Sequence, residues 1–283
     1  MTTIASLPAA VLDGLVTGAV IPYLGPDVLT LVPGGAPVPA TPEALSAFLA
    51  ARVSVPHKIR KRLTASAQFI ENFKHRRTLT GFLDIAYAAS VPPTLLHRYL
   101  ASLPQLPLIV AGWYDNAMRS ALASRSDWGA VQGLSQSEHF GTWVGYYDAA
   151  GEPVSEEQSE HWDTLLYQPI GGAAPAANYL VSDSDYVEVL TEIDIQTPIP
   201  PRVKALRAGR HFLFLGYRFN DQLTRTFARQ IMKRSSDRHW AVLPGEPTRN
   251  EARFLSEQRI ERIDWPLEAF VSALVADEVE AHV

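Results

Sequence analysis

Two apolar rhythms alternate along most of this chain. Short continuous apolar runs end at a glycine or proline, and between them lie stretches of helical spacing. The runs Ala19–Leu24, Leu108–Ala111 and 211–216 are apolar on consecutive positions rather than every second one, the pattern of strands buried on both faces of a parallel sheet. Further strands are predicted over 239–243 and 260–263. Helical spacing predicts helices over 7–18, 42–53, 58–76, 78–89, 93–103, 198–209, 219–234, 247–257 and 266–277, punctuated by Pro56 and Pro92-Pro93. Thr41-Pro42-Glu43 supplies an N-cap, a proline at the first helical position and an acid in the first turn. The middle third reads differently. Gly141–Tyr147 followed by Asp148-Ala149-Ala150-Gly151 predicts a strand and hairpin turn, and Thr164–Gln168 and Ala177–Val181 predict strands around the loop 171–175. The expected fold is therefore α/β: a doubly wound, Rossmann-like parallel sheet with a helical insertion at about 40–105 and a small irregular β region at about 135–182. We expect one domain over residues 1–283.

Composition narrows the function classes. The 283 residues are 47% hydrophobic and 19% charged, with ample material for a core. A net charge of −5 argues against a non-specific nucleic-acid binder. The basic clusters at 57–62, 74–77 and 233–234 lie on or beside helical patterns and read as solvated helix faces. The chain has no cysteine, which excludes thiol catalysis, disulfides and a cysteine-built zinc site. No run of 18 apolar residues is present, and the first basic residue is Arg52, with Asp13 interrupting the early apolar stretch. These features predict a cytoplasmic protein without an export signal.

Three strand endings carry the candidate chemistry. Gly25, Gly112 and Gly216 close the three apolar runs, and each is followed within five residues by an acid: Asp27, Asp115 and Asp221. Open α/β sheets bind ligands where parallel strands end, so three such endings predict one nucleotide-sized site. No G-x-S-x-G, G-x-x-x-x-G-K-[ST], H-E-x-x-H or G-x-G-x-x-G motif occurs. The eight histidines are scattered, and none pairs with another at helical spacing.

In order and spacing these segments resemble the sirtuin-like (silent-information-regulator-like) bacterial domain family, over roughly residues 15–265. Gly25-Pro26-Asp27-Val28-Leu29 stands where the family has its G-A-G-x-S phosphate cradle. Gly112-Trp113-Tyr114-Asp115 stands for T-N-Y-D, Gln168-Pro169-Ile170-Gly171 for K-x-H-G, and Phe214–Asp221 matches F-x-G-Y-x-x-x-D. The resemblance implies a crevice for NAD or ADP-ribose, with Gly25, Asp27, Trp113, Tyr114, Asp115, Gly216, Tyr217 and Asp221 as its cofactor-binding residues. It also marks the departures. Trp113 replaces the Asn that engages ribose, and Ile170 replaces the catalytic His and has no group that takes a proton. Asp27 places a carboxylate where a diphosphate would lie.

These departures predict a catalytically degenerate member acting as a sensor or as an accessory, interaction protein. The alternative is an NAD glycohydrolase with a rearranged site built from Asp115, Asn116 or His161. A third reading is a partner-binding factor whose crevice Trp113 blocks. Residues 186–200 resemble members associated with nitrogen-fixation gene clusters, which would make that partner-binding factor an accessory there. Asp183 and Asp185 form a D-x-D pair that suits a helix start better than a metal, and no zinc is expected. Arg218, Arg225 and Arg229 are the cations expected to meet a nucleotide's anionic end. Trp143, Tyr146 and Tyr147 fit a half-buried strand or, if exposed, a protein-binding face. A homo-oligomer is compatible with all of these readings.

Overall fold

The computed structural model describes residues 7–195 and 199–281, with side chains of 192–195 and 277–281 excepted. Nine strands form one sheet, and seven of them run parallel. In chain order these seven are β1 (Val20–Leu24), β2 (Leu108–Ala111), β3 (Trp128–Gly133), β6 (Thr164–Gln168), β9 (His211–Leu215), β10 (His239–Val242) and β11 (Ile260–Ile263). The antiparallel strands β4 (Val144–Asp148) and β5 (Pro153–Val154) extend one edge as a hairpin. The spatial order is β11-β10-β9-β1-β2-β6-β3-β4-β5. Strands 7 and 8, Gly171–Gly172 and Asn178–Tyr179, pair separately as a short ribbon.

Side-chain alternation along the parallel strands divides the core into two layers. Ile21, Tyr23, Phe212 and Phe214 face one layer, and Val20, Leu24, Leu213 and Leu215 face the other. The first layer is covered by α2 (Pro42–Ala50), α3 (Leu63–Lys74), α4 (Arg76–Ala86), α7 (Asp183–Ile195), α8 (Pro201–Arg207), α9 (Gln222–Met232) and α10 (Arg249–Glu257). The second is covered by α1 (Ala9–Val16), α5 (Leu95–Ser102), α6 (Ala117–Ala121) and α11 (Leu267–Ala281). This is the expected doubly wound α/β arrangement. The predicted insertion between the first two strands is α2 to α5.

Two differences from the expected elements have physical reasons. Strand β3 was not predicted, because Trp128-Gly129-Ala130-Val131-Gln132-Gly133 carries two glycines and one β-branched residue. Both glycines are required by close neighbours: a Cβ on Gly129 would lie 2.2 Å from the Trp162 ring, and one on Gly133 would lie 2.3 Å from the Pro169 carbonyl oxygen. The predicted helix 58–76 begins only at Leu63, so the basic cluster 57–62 forms turns, not a helix face. Helix α7 (Asp183–Ile195) begins at the D-x-D pair, where the sequence suits a helix start, and 196–198 lie outside the described residues.

Helix α7 is anchored through Asp185, which is 1% exposed. Its carboxylate accepts from the amides of Val181 and Ser182, the Ser135 hydroxyl and Arg76, the last at 2.7 Å. Burial pushes Asp185 upward, but Arg76 and these donors together hold it below the ordinary carboxylate range. Arg76 also meets Glu71 and Glu138 and donates to the Tyr179 carbonyl. Asp185, the second acid of the D-x-D pair, is thus a helix anchor. Trp143 and Tyr147 are half-buried and Tyr146 is 8% exposed, so the strand aromatics pack inward.

Candidate functional site

The strand order reverses between β1 and β9: the chain leaves β1 toward β2 and later returns on the other flank with β9. A crevice outside the carboxyl ends of strands is expected at such a switch point. A cavity of about 440 Å³ lies there, lined by Tyr23, Asp27, Trp113, Ile170, Tyr217 and Asp221 among others. Its size lies in the range of small-ligand sites. The three turns that the sequence singled out are therefore brought to one edge, because their strands are adjacent and parallel.

The turn after β1 is closed against β9. The Gly25 amide donates to Leu215 O at 2.8 Å, the Asp27 amide to Gly216 O at 3.1 Å, and the Val28 amide to Gly25 O at 3.2 Å. Pro26 has no amide hydrogen. A Cβ on Gly25 would sit 2.2 Å from Gly216 O, and Gly216 itself has φ +62° with the Val28 amide 2.5 Å from its would-be Cβ. Both glycines are there so that two turns can touch. The Gly25, Asp27 and Val28 amides are thus each bonded to a carbonyl, and the Asp27 side chain lines the crevice beside them. Burial raises the Asp27 pKa above its usual value, Arg218 opposes this, and Glu43 adds to it. A diphosphate does not fit this turn. The cations lining the crevice are Lys61 and Arg62, on the loop before α3, and Arg218. Arg218 is itself held by the fully buried Glu251 through bonds of 2.9 and 3.0 Å.

Trp113 is packed as a wall, not as a plug. It is 6% exposed, its indole N–H donates to Pro39 O at 2.9 Å, and it packs against Tyr114 and Tyr87. Behind it lies a second cavity of about 20 Å³, lined by Gly25, His97, Asp115, Arg119 and Gln168 with their apolar neighbours. Trp113 is the one residue lining both spaces. The rear chamber has room for about one water. Gln168 Oε1 and Arg119 Nη1, from residues lining it, have no protein partner among the described residues.

The predicted site residues thus separate into groups. Asp27, Trp113, Tyr217 and Asp221 reach the crevice. Asp221 also caps α9, accepting from the Thr224 amide at 2.9 Å and from its hydroxyl, so its carboxylate is already engaged. Gly25 and Asp115 line the rear chamber, and Gly216 forms the contact between turns. Tyr114 is fully buried, with its hydroxyl on Leu180 O at 2.7 Å, and belongs to the core rather than the crevice. Asp115 accepts from the Ala117 amide at 2.9 Å, and burial raises its pKa despite that bond. Asn116 Oδ1 accepts from the Val91 amide at 3.3 Å, which gives it a bracing contact. His161 is exposed and lies before the amino end of β6, at the sheet edge opposite the crevice. Five strand residues separate the edges, about 16 Å. The structure does not bring His161 together with Asp115. Arg225 and Arg229 line a separate groove and not the crevice.

Sequence reasoning missed Glu43, Lys61, Arg62 and Asn220, which also line the crevice. In the sequence Glu43 reads only as a first-turn acid and Lys61-Arg62 as a solvated face. A basic run placed before rather than within an apolar helical pattern was the available signal. Among the described residues, no group of three or more His, Asp or Glu side chains could hold a metal ion. No described helix is long and apolar enough to cross a membrane.

A crevice at the switch point of a doubly wound parallel sheet is where open α/β folds bind their ligands. The SIR2-like domain family matches residues 107–263, more than half the chain, and the chain belongs to that family. No curated protein matches it.

Proposed function

We propose that this chain binds a nucleotide of the NAD or ADP-ribose kind in the switch-point crevice and holds it without cleaving it. One observation carries the reading: Trp113 and Ile170 line the crevice, while Asp115 lies on the far side of Trp113. Breaking the bond to nicotinamide requires groups that stabilise a cationic ribose or activate water in contact with it. Asp115 and Asn116 are both used to brace the backbone, and His161 is at the other edge of the sheet. Lys61, Arg62 and Arg218 are the residues that would carry the ligand's phosphates, in place of the closed turn after β1. When NAD is bound in an active relative it supplies the glycosidic bond to be broken. Here the lining residues bind and exclude water.

A ligand that binds only the folded state raises the melting temperature with dose. ADP-ribose and NAD are therefore expected to raise it, adenosine less so, with no nicotinamide released from NAD. Nicotinamide release that disappears in Asp115→Ala would instead establish the glycohydrolase reading. No thermal response to either dinucleotide-type ligand would leave the crevice without this role.

A further inference from the structure

Helices α9 and α10 lie beside each other outside β9–β11, and a trough runs between them. It consists of two dents of about 280 and 410 Å³ that share Arg229 and Glu257. The first dent borders the crevice through Gln222, and the second reaches Ser236 and His239 at the opposite sheet edge. Its cations are Arg225, Arg229 and Lys233 on or just after α9, with Arg253 and Arg259 facing them. Its carboxylates are Glu257, held by Arg253 at 2.7 Å, and Asp237, held by Arg259 at 3.0 Å. Among the described residues lining the trough, Arg225 and Arg229 stand in excess of these two ion pairs, on a chain whose net charge is −5. His239 adds no charge near neutrality, since burial and the neighbouring His211 lower its pKa to about 4.

Arg225 and Arg229 are the informative pair. They stand four residues apart on one helix face, where like charges repel by about 0.2–0.5 kcal/mol. Neither meets a carboxylate among the described residues: Arg225 donates to Phe219 O, and Arg229 lies over the Phe254 ring. Four helical residues rise about 6 Å. Alternate residues of an extended peptide, which share one face, repeat at about 6.7 Å. Phe254, on the floor, is 2% exposed, so the trough presents no aromatic platform on which nucleic-acid bases would stack.

We propose that the α9–α10 trough docks an extended acidic segment of a partner protein, with acids at alternate positions set against Arg225 and Arg229. This interaction is independent of what the crevice holds. The test is fluorescence anisotropy of the full chain with a labelled decapeptide of alternating Glu and Ser. Its Gln–Ser counterpart and a single-stranded oligo-dT of equal charge serve as comparators. The acidic peptide is expected to bind at low salt and to weaken as salt rises. Arg225→Gln with Arg229→Gln should weaken it by about tenfold, since two exposed charge contacts are removed. Arg225 is half-buried and Arg229 exposed, so the melting temperature should stay within about 2 °C. Absence of peptide binding, binding unchanged in the double variant, or tighter oligo-dT binding that those substitutions abolish would each overturn the proposal.

Discussion

The two spaces on either side of Trp113 contain similar side chains under opposite conditions. In front, Asp27, Glu43, Lys61 and Arg62 are half-buried or exposed, around about 440 Å³ of open crevice. Behind, His97, Asp115, Arg119 and Gln168 surround about 20 Å³. The front groups keep free hydrogen-bonding capacity for a ligand, whereas the rear carboxylate is committed to the first turn of α6. A carboxylate in the motif position is therefore not a reagent by virtue of that position. Its reach is decided by one indole, fixed by the Pro39 carbonyl on one side and by Tyr114 and Tyr87 on the other.

Removing the partition is the harshest way to test this contrast. Trp113→Ala deletes a nearly fully buried aromatic and joins the two spaces, so a loss of about 3–5 kcal/mol in denaturant unfolding is expected. A loss below about 1 kcal/mol would show that the indole is not packed as a wall.

Acid probes the rear chamber without deleting any side chain. His97 is 3% exposed, and burial, aided by Arg98, lowers its pKa to about 4. Its Nδ1 accepts from the Thr94 amide at 3.2 Å, which leaves the ring proton on Nε2. Unfolded histidine titrates near 6.5. Between about pH 6.5 and 4 the unfolded chain takes up a proton that the folded chain excludes, so stability falls as the pH is lowered. His97 alone contributes up to about 3 kcal/mol of that fall by pH 4. His97→Gln, which keeps an acceptor for Thr94, should flatten the pH dependence by that amount in unfolding measurements from pH 7 to 4. His239, also lowered to about 4, contributes to both proteins and cancels in the comparison. An unchanged slope would mean that His97 is not held neutral.

The smallest effect belongs to the open side. Asp27→Asn removes the carboxylate nearest the closed turn and should change stability by less than about 0.5 kcal/mol. It should tighten ADP-ribose by a few fold, because an exposed charge contact is worth about 0.2–1 kcal/mol. Thermal-shift titration reads the difference. Weaker binding in the variant would make Asp27 a ligand contact instead of a repelling group.

Much of the scaffold could be read along the chain. The continuous apolar runs ending at Gly25, Gly112 and Gly216 located β1, β2 and β9, and Thr164–Gln168 was placed residue for residue. Strand β3 was invisible because its glycines answer to Trp162 and Pro169, neighbours distant in sequence. Tyr114 and Asp115 are adjacent in one motif, yet the first enters the core and the second lines the rear chamber. His161 and Ile170 lie nine residues apart, but a strand between them puts them at opposite edges of the sheet.

What the sequence determined by itself was the resemblance to the family, most of the strands of the sheet, and the presence of an indole and an aliphatic side chain at Trp113 and Ile170, because residue identity and local periodicity are properties of the chain alone. What only the tertiary structure decided was that the Gly25 and Asp27 amides are bonded across to Leu215 and Gly216 and that Asp115 lines the chamber behind Trp113. It also decided that Lys61 and Arg62 line the crevice while Arg225 and Arg229 line a different groove. Those outcomes rest on hydrogen bonds and packing between segments far apart in sequence, and no local pattern encodes which partner a buried donor will find.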